Sequence, residues 1–190
     1  MAAAMLLTAC ASTTLRDSWY DTSYTGGPFR RILVLGVSDN ASERRIFEDV
    51  MAQRLAASGV EAIPAYRYLT DDGKAPEPAL DAAVRASGAD GLLMSRVRGI
   101  DRRTSVTTSM APMPVFGWYG VYSAWYPYTD VRQFDIATVE TSLFAAAGKG
   151  VVWSGMTETY EPTSVAKDAP GLAAVIVKAL QQRGLVPAPK

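Results

Sequence analysis

The run Arg31-Ile-Leu-Val-Leu-Gly-Val37 is apolar on both of the faces that an extended chain presents. A short apolar run bounded by polar residues reads as a buried strand. The residues behind it read as the first helix of an α/β layer. Asn40 and Glu43 stand three apart, the spacing of an N-cap and its capping-box partner. The helix they open carries Ile46, Phe47, Val50, Met51 and Leu55 on one face, at amphipathic spacing. Gly59 stops it. Val60 to Ile63 reads as a second strand, and Pro64 and the turn Asp71-Asp72-Gly73 break the stretch behind it. Glu77 to Ser87 reads as a second helix, with Leu80, Ala83 and Val84 inward and Gly88 as its stop.

Three further strands are expected, at Leu92 to Arg103, Gln133 to Ala146 and Gly150 to Tyr160. Gly148-Lys149-Gly150 joins the last two as a tight hairpin. A final helix runs from Ser164 to Arg183, with Leu172, Val175, Ile176 and Leu180 inward and Gly184 behind it. The order β-α-β-α-β-β-β-α implies a single α/β sandwich, a five-stranded mixed sheet with helices packed on it. Right-handed crossovers with a strand order of 2-1-3-4-5 put the first two helices on opposite faces. The fourth strand then runs antiparallel to the third. Trp153 is expected in the core against the final helix, near Leu172 or Ile176. The folded domain is expected over 30–187. A tether rich in Ser, Thr, Tyr, Asp and Gly precedes it at 10–29.

The residues that are missing limit the chemistry. The 190-residue chain has no histidine and one cysteine, Cys10. That excludes Ser-His-Asp and Cys-His catalysis, imidazole-ligated zinc and an intrachain disulfide or C-x-x-C redox pair. Asp71-Asp72-Gly73 lacks the alternating carboxylates of a calcium loop. No metal or cofactor is expected. Nineteen basic residues balance nineteen acidic ones, so charge gives no reason to expect nucleic acid. Ser164-Val-Ala-Lys167 and Ser38-Asp39-Asn40 match the S-x-x-K and S-D-N motifs of penicillin-binding proteins. Their order is reversed and no K-T-G occurs, so they read as a helix start and a helix cap.

At the N-terminus, Leu7-Thr8-Ala9-Cys10 resembles a bacterial lipobox, where a signal peptide is cleaved and the cysteine acylated. No Lys or Arg precedes Cys10, although a signal peptide has a basic n-region and an apolar stretch of about 7–15 residues. The resemblance implies that residues 1–9 are the remnant of a signal peptide. It also implies that a diacylated Cys10 anchors the chain to a membrane. Ala11, in place of Asp, is similar to lipoproteins sorted to the outer membrane, facing the periplasm. The chain from Cys10 onward resembles small bacterial envelope lipoproteins. They share a lipobox, a strand like Arg31 to Val37, an Arg45-Ile46-Phe47-Glu48-Asp49 segment and a Ser-Gly-Ala-Asp turn like 87–90. An aromatic-rich insert and a hairpin ending like Val152-Trp153-Ser154 complete the likeness. The element order is also similar to periplasmic α/β domains of curli-secretion and transport-accessory lipoproteins. No catalytic residues come with either resemblance.

Two features point to contact surfaces. Seven of the nineteen residues from Met110 to Tyr128 are aromatic, within an insert expected over 108–130. Trp118, Tyr119 and Trp125 are the candidate anchors for a partner, since aromatic residues are favoured at interface centres. The alternatives are an insert packed back on the sheet and a disordered one. Ligands of open α/β sheets bind beyond the carboxyl ends of parallel strands. That edge is expected to gather Ser38, Asp39 and Asn40 with Arg102 and Arg103. Arg96, Arg98 and Arg102 are expected on one strand face, where they either bind anions or pair with Asp135, Glu140, Glu158 and Glu161.

The function expected is that of a non-enzymatic envelope lipoprotein that contacts an envelope protein or polymer. The alternatives are a binding module for a small anion or envelope polymer, which a deep pocket beside the first helix would favour, and an envelope enzyme using Asp135, Glu140 or Glu158.

Overall fold

The computed structural model describes residues 13–70, 75–109 and 128–188. They form one six-stranded mixed sheet with three α-helices among the described residues. In chain order the strands are β1 (Thr13–Tyr20), β2 (Arg31–Val37), β3 (Glu61–Pro64), β4 (Gly91–Ser109), β5 (Tyr128–Ala145) and β6 (Val151–Tyr160). The helices are α1 (Ala41–Ala56), α2 (Glu77–Ser87) and α3 (Val165–Gln182).

The spatial order is β1-β6-β5-β4-β2-β3. The five expected strands stand in the expected order, with β4 parallel to β2 and antiparallel to β5. The sheet nevertheless has six strands, not five. Thr13–Tyr20, expected within a tether, pairs antiparallel with β6 as an edge strand. The physical reason is a half-buried alternation: Leu15 and Tyr20 pack against the core while Trp19 on the opposite face is exposed.

Two cores share the sheet. Ile32, Val34, Leu93, Leu143 and Trp153 meet α1 and α3 on one face, and Leu33, Leu35, Ile63 and Leu92 meet α2 on the other. Adjacent residues of β2 thus serve opposite cores, as the pleat requires, and α1 and α2 lie on opposite faces as expected. Trp153 is fully buried in the α3 core with Leu172 and Ile176.

Helix α1 keeps most of its expected face, with Met51 and Leu55 in the core and Phe47 and Val50 packed against it, but it departs at one end. Ile46 is exposed, whereas Arg44, Glu48, Met51, Ala52 and Leu55 are buried. A buried ion pair sets the rotation: Arg44 Nε donates to Glu48 Oε1 at 2.9 Å. Glu48 also accepts from the Gly36 amide at 3.1 Å and, through Oε2, from the Tyr66 amide at 2.8 Å. One carboxylate therefore ties α1 to the end of β2 and to the 3-10 turn behind β3. The N-cap is as expected on one side only. Asn40 Oδ1 accepts from the Ser42 and Glu43 amides, but the Asn40 amide donates to Ser38 Oγ at 3.1 Å rather than to Glu43.

At the hairpin between β5 and β6, the left-handed residue is Lys149, with φ of 53°, rather than either flanking glycine. Its ammonium pairs with Asp81 and Glu77 of α2, which holds this turn against the helix. Asp71-Asp72-Gly73 lies outside the described residues.

Candidate functional site

Strand β2 ends at Val37, while β4 and β5 run on as a long two-stranded extension to Ser109 and Tyr128. The connection leaving β2 goes to β3 on one side, and the chain returns to β4 on the other. The end of β2 is therefore the topological switch point, the place where open α/β sheets hold ligands. A cleft of about 320 Å³ opens there. Val97, Ile100, Ala137 and Val139 of β4 and β5 form its floor. One wall is Gly36 to Ser38 with Glu43, Arg44 and Phe47 of α1, and the other is Pro162 to Val165 with Asp168, Ala169 and Leu172 of α3.

The lining is mainly apolar, and part of it lacks cover. Val97 and Ile100 are 60% and 62% exposed, unlike the apolar residues at the start of the same strand. Gly36 has a local reason to be glycine, since a Cβ there would stand 2.9 Å from the Phe47 ring. The entry to α3 is built around Asp168. Its Oδ2 accepts from the Thr163 amide at 2.7 Å and from the Ser164 amide at 3.0 Å. Its Oδ1 is shut off from solvent and has no hydrogen-bond partner. Ser164 itself makes no side-chain cap.

The expected polar edge is only partly gathered. Ser38 lines the cleft and supports the cap of α1, and Asn40 is that cap. Asp39 makes no contact with the cleft. Arg102 and Arg103 lie farther along the extension and are paired with Asp135 and Glu158.

The arginines do not share one face. A β-bulge between Val97 and Gly99 shifts the register of β4 against β5, so Arg102, opposite Asp135, takes the face of Ile100 and the cleft. Arg96, opposite Glu140, takes the other face. Both positions form cross-strand ion pairs. Arg96 Nη2 and Arg98 Nη1 reach Glu140 at 2.8 and 3.4 Å. Arg16 Nε reaches Glu158 at 3.2 Å. Arg102 Nε donates to Asp135 at 3.0 Å, and that hydrogen bond, followed by the Coulomb attraction, raises the Arg102 guanidinium above its ordinary value. Asp135, Glu140 and Glu158 are thus each bound by arginine, and none of the three lines the cleft.

Cys10, Trp118, Tyr119 and Trp125 lie outside the described residues, as does 110–127 of the expected insert; Ser109 and Tyr128 belong to strands. The side chains that sequence reasoning missed are Phe47 as a cleft wall, Asp168 as the organiser of α3, and the Arg44–Glu48 pair. The only sequence signal for the pair is its i, i+4 spacing in a helix.

No helix among the described residues is long and apolar enough to cross a membrane. No group of three or more Cys, Asp or Glu side chains among them is placed to hold a metal ion.

No protein-family model matches the chain, and no curated protein does. Among solved structures, a leucine-to-methionine variant of the PelC dodecamer from Paraburkholderia phytofirmans is similar, with 16% identity and a TM-score of 0.49. It covers 87% of this chain and 96% of that one. A PelC dodecamer from the same organism in another crystal form has 17% identity and a TM-score of 0.47, over 93% of this chain and 99% of that one. The lipoprotein GNA1162 from Neisseria meningitidis has 15% identity and a TM-score of 0.39, over 81% and 96%. With TM-scores below 0.5, these likenesses leave the functional reading to the geometry of this chain.

Proposed function

We propose that this chain is a lipid-anchored bacterial envelope protein that acts by binding, not catalysis, with the cleft at the end of β2 as its contact site. The observation that carries the reading is the cleft: concave, mainly apolar, at the switch point beside α1, and without any of the three candidate catalytic carboxylates. Pockets of this make-up are the usual small-molecule and cofactor sites of α/β proteins.

Anchoring enters through Cys10. Thr13 is already in the sheet, and its Oγ1 lies 2.9 Å from Oγ1 of Thr159, a residue of the cleft lining. Three residues span at most about 11 Å, so an acylated Cys10 holds the domain close to the bilayer with the cleft end toward it. The β4–β5 extension leaves from that same end, and the sequence between its strands holds Trp118, Tyr119 and Trp125. Tryptophan and tyrosine suit a membrane interface or a protein contact, because one end of each ring system is apolar and the other polar. Ala11 favours the outer membrane, facing the periplasm.

Two experiments test the reading. Mass spectrometry of the native N-terminus should find a diacylated Cys10, and Cys10→Ala should release the protein from the membrane fraction; an unmodified chain beginning at Met1 defeats the anchoring. Filling the cleft with Val97→Trp should abolish recovery of envelope partners from lipidated protein. Undiminished recovery defeats the cleft as contact site.

A further inference from the structure

We infer that the cleft shelters one acyl chain of the protein's own anchor at Cys10. The inference rests on the reading of Cys10 as acylated and adds where one of its chains goes when it leaves the bilayer. The uncovered surface comes first. Val97 and Ile100 are more than half exposed in a concave place whose other apolar lining includes Phe47, Val139 and Leu172. Hydrocarbon laid on them removes apolar surface of both from water. At about 320 Å³ the cleft stands at the low end of the roughly 300–1,000 Å³ range of small-ligand pockets, which suits one narrow chain rather than a folded partner. The charged neighbours need no polar group from such a guest. Arg44 is matched by Glu48 and Arg96 by Glu140, and Asp168 Oδ2 already receives two backbone amides. An uncharged chain leaves all of these bonds in place.

Reach decides whose chain it is. Thr13 Oγ1 lies 2.9 Å from Thr159 Oγ1, and Thr159 belongs to the cleft lining. The three residues from Thr13 back to Cys10 span at most about 11 Å, so a chain on the Cys10 thiol is tied within reach of the cleft. A tether this short gives an effective concentration on the order of millimolar, an advantage that no untethered lipid has. The exposed pair Val106 and Val131 is the rival apolar surface, but Val106 lies six residues farther along β4 than Ile100, about 20 Å away. Withdrawal of one chain leaves the other in the bilayer, and single-chain anchoring is marginal and reversible. A partner seated in the cleft returns the sheltered chain to the membrane, so partner contact and firm anchoring support each other.

The test uses the full 190-residue chain made without lipid, so that Cys10, its one cysteine, carries a free thiol. The thiol is capped with N-dodecylmaleimide, which supplies a hydrocarbon chain, or with N-methylmaleimide, which does not, and side-chain methyl resonances are followed by NMR. The dodecyl adduct should shift the methyls of Val97, Ile100 and Leu172 relative to the methyl adduct, leave those of Val106 and Val131 in place, and keep its shifts on dilution. Val97→Trp fills the cleft from an exposed position and should leave the unfolding midpoint in place. In that variant the dodecyl chain should no longer move Ile100 or Leu172. Cleft methyls that coincide in the two adducts overturn the inference, as do equal shifts at Val106 and Val131, which mark unspecific contact. Shifts lost on dilution assign the chain to a second copy and overturn it too, as do undiminished shifts in Val97→Trp. The broader reading is judged separately. An unmodified native Cys10 defeats the anchoring and this inference together, whereas unmoved cleft methyls beside an acylated native Cys10 defeat this inference alone.

Discussion

The sheet has two halves that obey different rules. In the covered half, β2, β3 and the first residues of β4 lie between α1 and α3 on one face and α2 on the other, and Ile32, Leu33, Val34 and Leu93 are fully buried. In the extension beyond Val97, β4 and β5 pair only with each other and, in part, with β6. There Ile100, Val106 and Val131 are exposed, and arginines and carboxylates face one another across strands. The same pair of strands crosses both regimes. Helix cover, rather than the strands themselves, therefore decides whether a position carries leucine or an ion pair. The cleft sits at the seam, where apolar lining persists after the cover has ended.

The contrast is tested most severely in the covered half. Trp153→Ala removes the largest fully buried side chain among the described residues and should cost about 3–5 kcal/mol in denaturant unfolding. Glu48→Ala should cost about as much, roughly 3–5 kcal/mol, because it removes one member of a buried ion pair and leaves the Gly36 and Tyr66 amides without their acceptor. A near-neutral result for either places the centre of stability elsewhere than between α1, α3 and the sheet.

Gly155→Ala ranks next in size. A Cβ at Gly155 would overlap the end of the Trp153 ring and come within 3.2 Å of Leu15. Overpacking of this kind costs typically about 1–3 kcal/mol. The variant also reports on β1, since Leu15 belongs to the edge strand. Protection of the β1 amides from hydrogen exchange should fall with the midpoint. Unchanged β1 protection would show that the edge strand is held by its ladder with β6 alone.

Much of the covered half is legible in the sequence, and the reason is periodicity. The second helix is expected at Glu77 to Ser87 and stands there, because its apolar residues and Gly88, with φ of 64°, mark both face and end. The strand order comes from handedness. The hidden features depend on contacts distant in sequence. The bulge at Val97–Gly99 has no sequence signal that the even alternation of Arg96, Arg98 and Arg102 does not mask, so alternation alone puts these arginines on one face. The edge strand Thr13–Tyr20 looks like a polar tether because only one of its faces is packed. The rotation of α1 comes from a buried Arg44–Glu48 pair that hydropathy counts as solvent-facing. The cleft is legible as a place, beside the first helix at the end of β2, but its apolar lining and the role of Asp168 require the β5 and α3 residues to be brought there by the fold.

The extension should respond weakly to changes that would ruin the covered half. Glu140→Gln removes the partner of both Arg96 and Arg98, yet exposed ion pairs contribute only about 0–1 kcal/mol. Its effect on the unfolding midpoint should be small and should shrink further in high salt as screening replaces the lost pairing. A loss as large as that of Glu48→Ala would mean that the extension is covered in the working protein, and it would turn attention to what covers it.

The smallest effect lies just past the end of β1, where an exposed turn meets the covered half. The Asp21 amide donates to the Val152 carbonyl at 2.9 Å. The Asp21 carboxylate accepts from Ser23 Oγ at 2.6 Å and from the Ser23 amide at 2.9 Å. The Ser23 hydroxyl, and after it the Ser23 amide, hold the Asp21 carboxyl below its ordinary value against a small opposing effect of burial. A carboxylate depressed in the folded state adds stability above its unfolded value, and that contribution disappears as pH falls through the folded value. Acidification should therefore leave this turn intact through the ordinary carboxylate range and loosen it only below. The Ser23 amide resonance, tracked by NMR across that range, should titrate at a lower pH than a free aspartate, and Ser23→Ala should move the transition upward. A transition at the ordinary value in the parent protein would show that the turn does not hold in solution. The end of β1 would then be kept in place by Tyr20 packing on the core and by the Val152 bond, so that cover alone governs the edge strand as it governs β2.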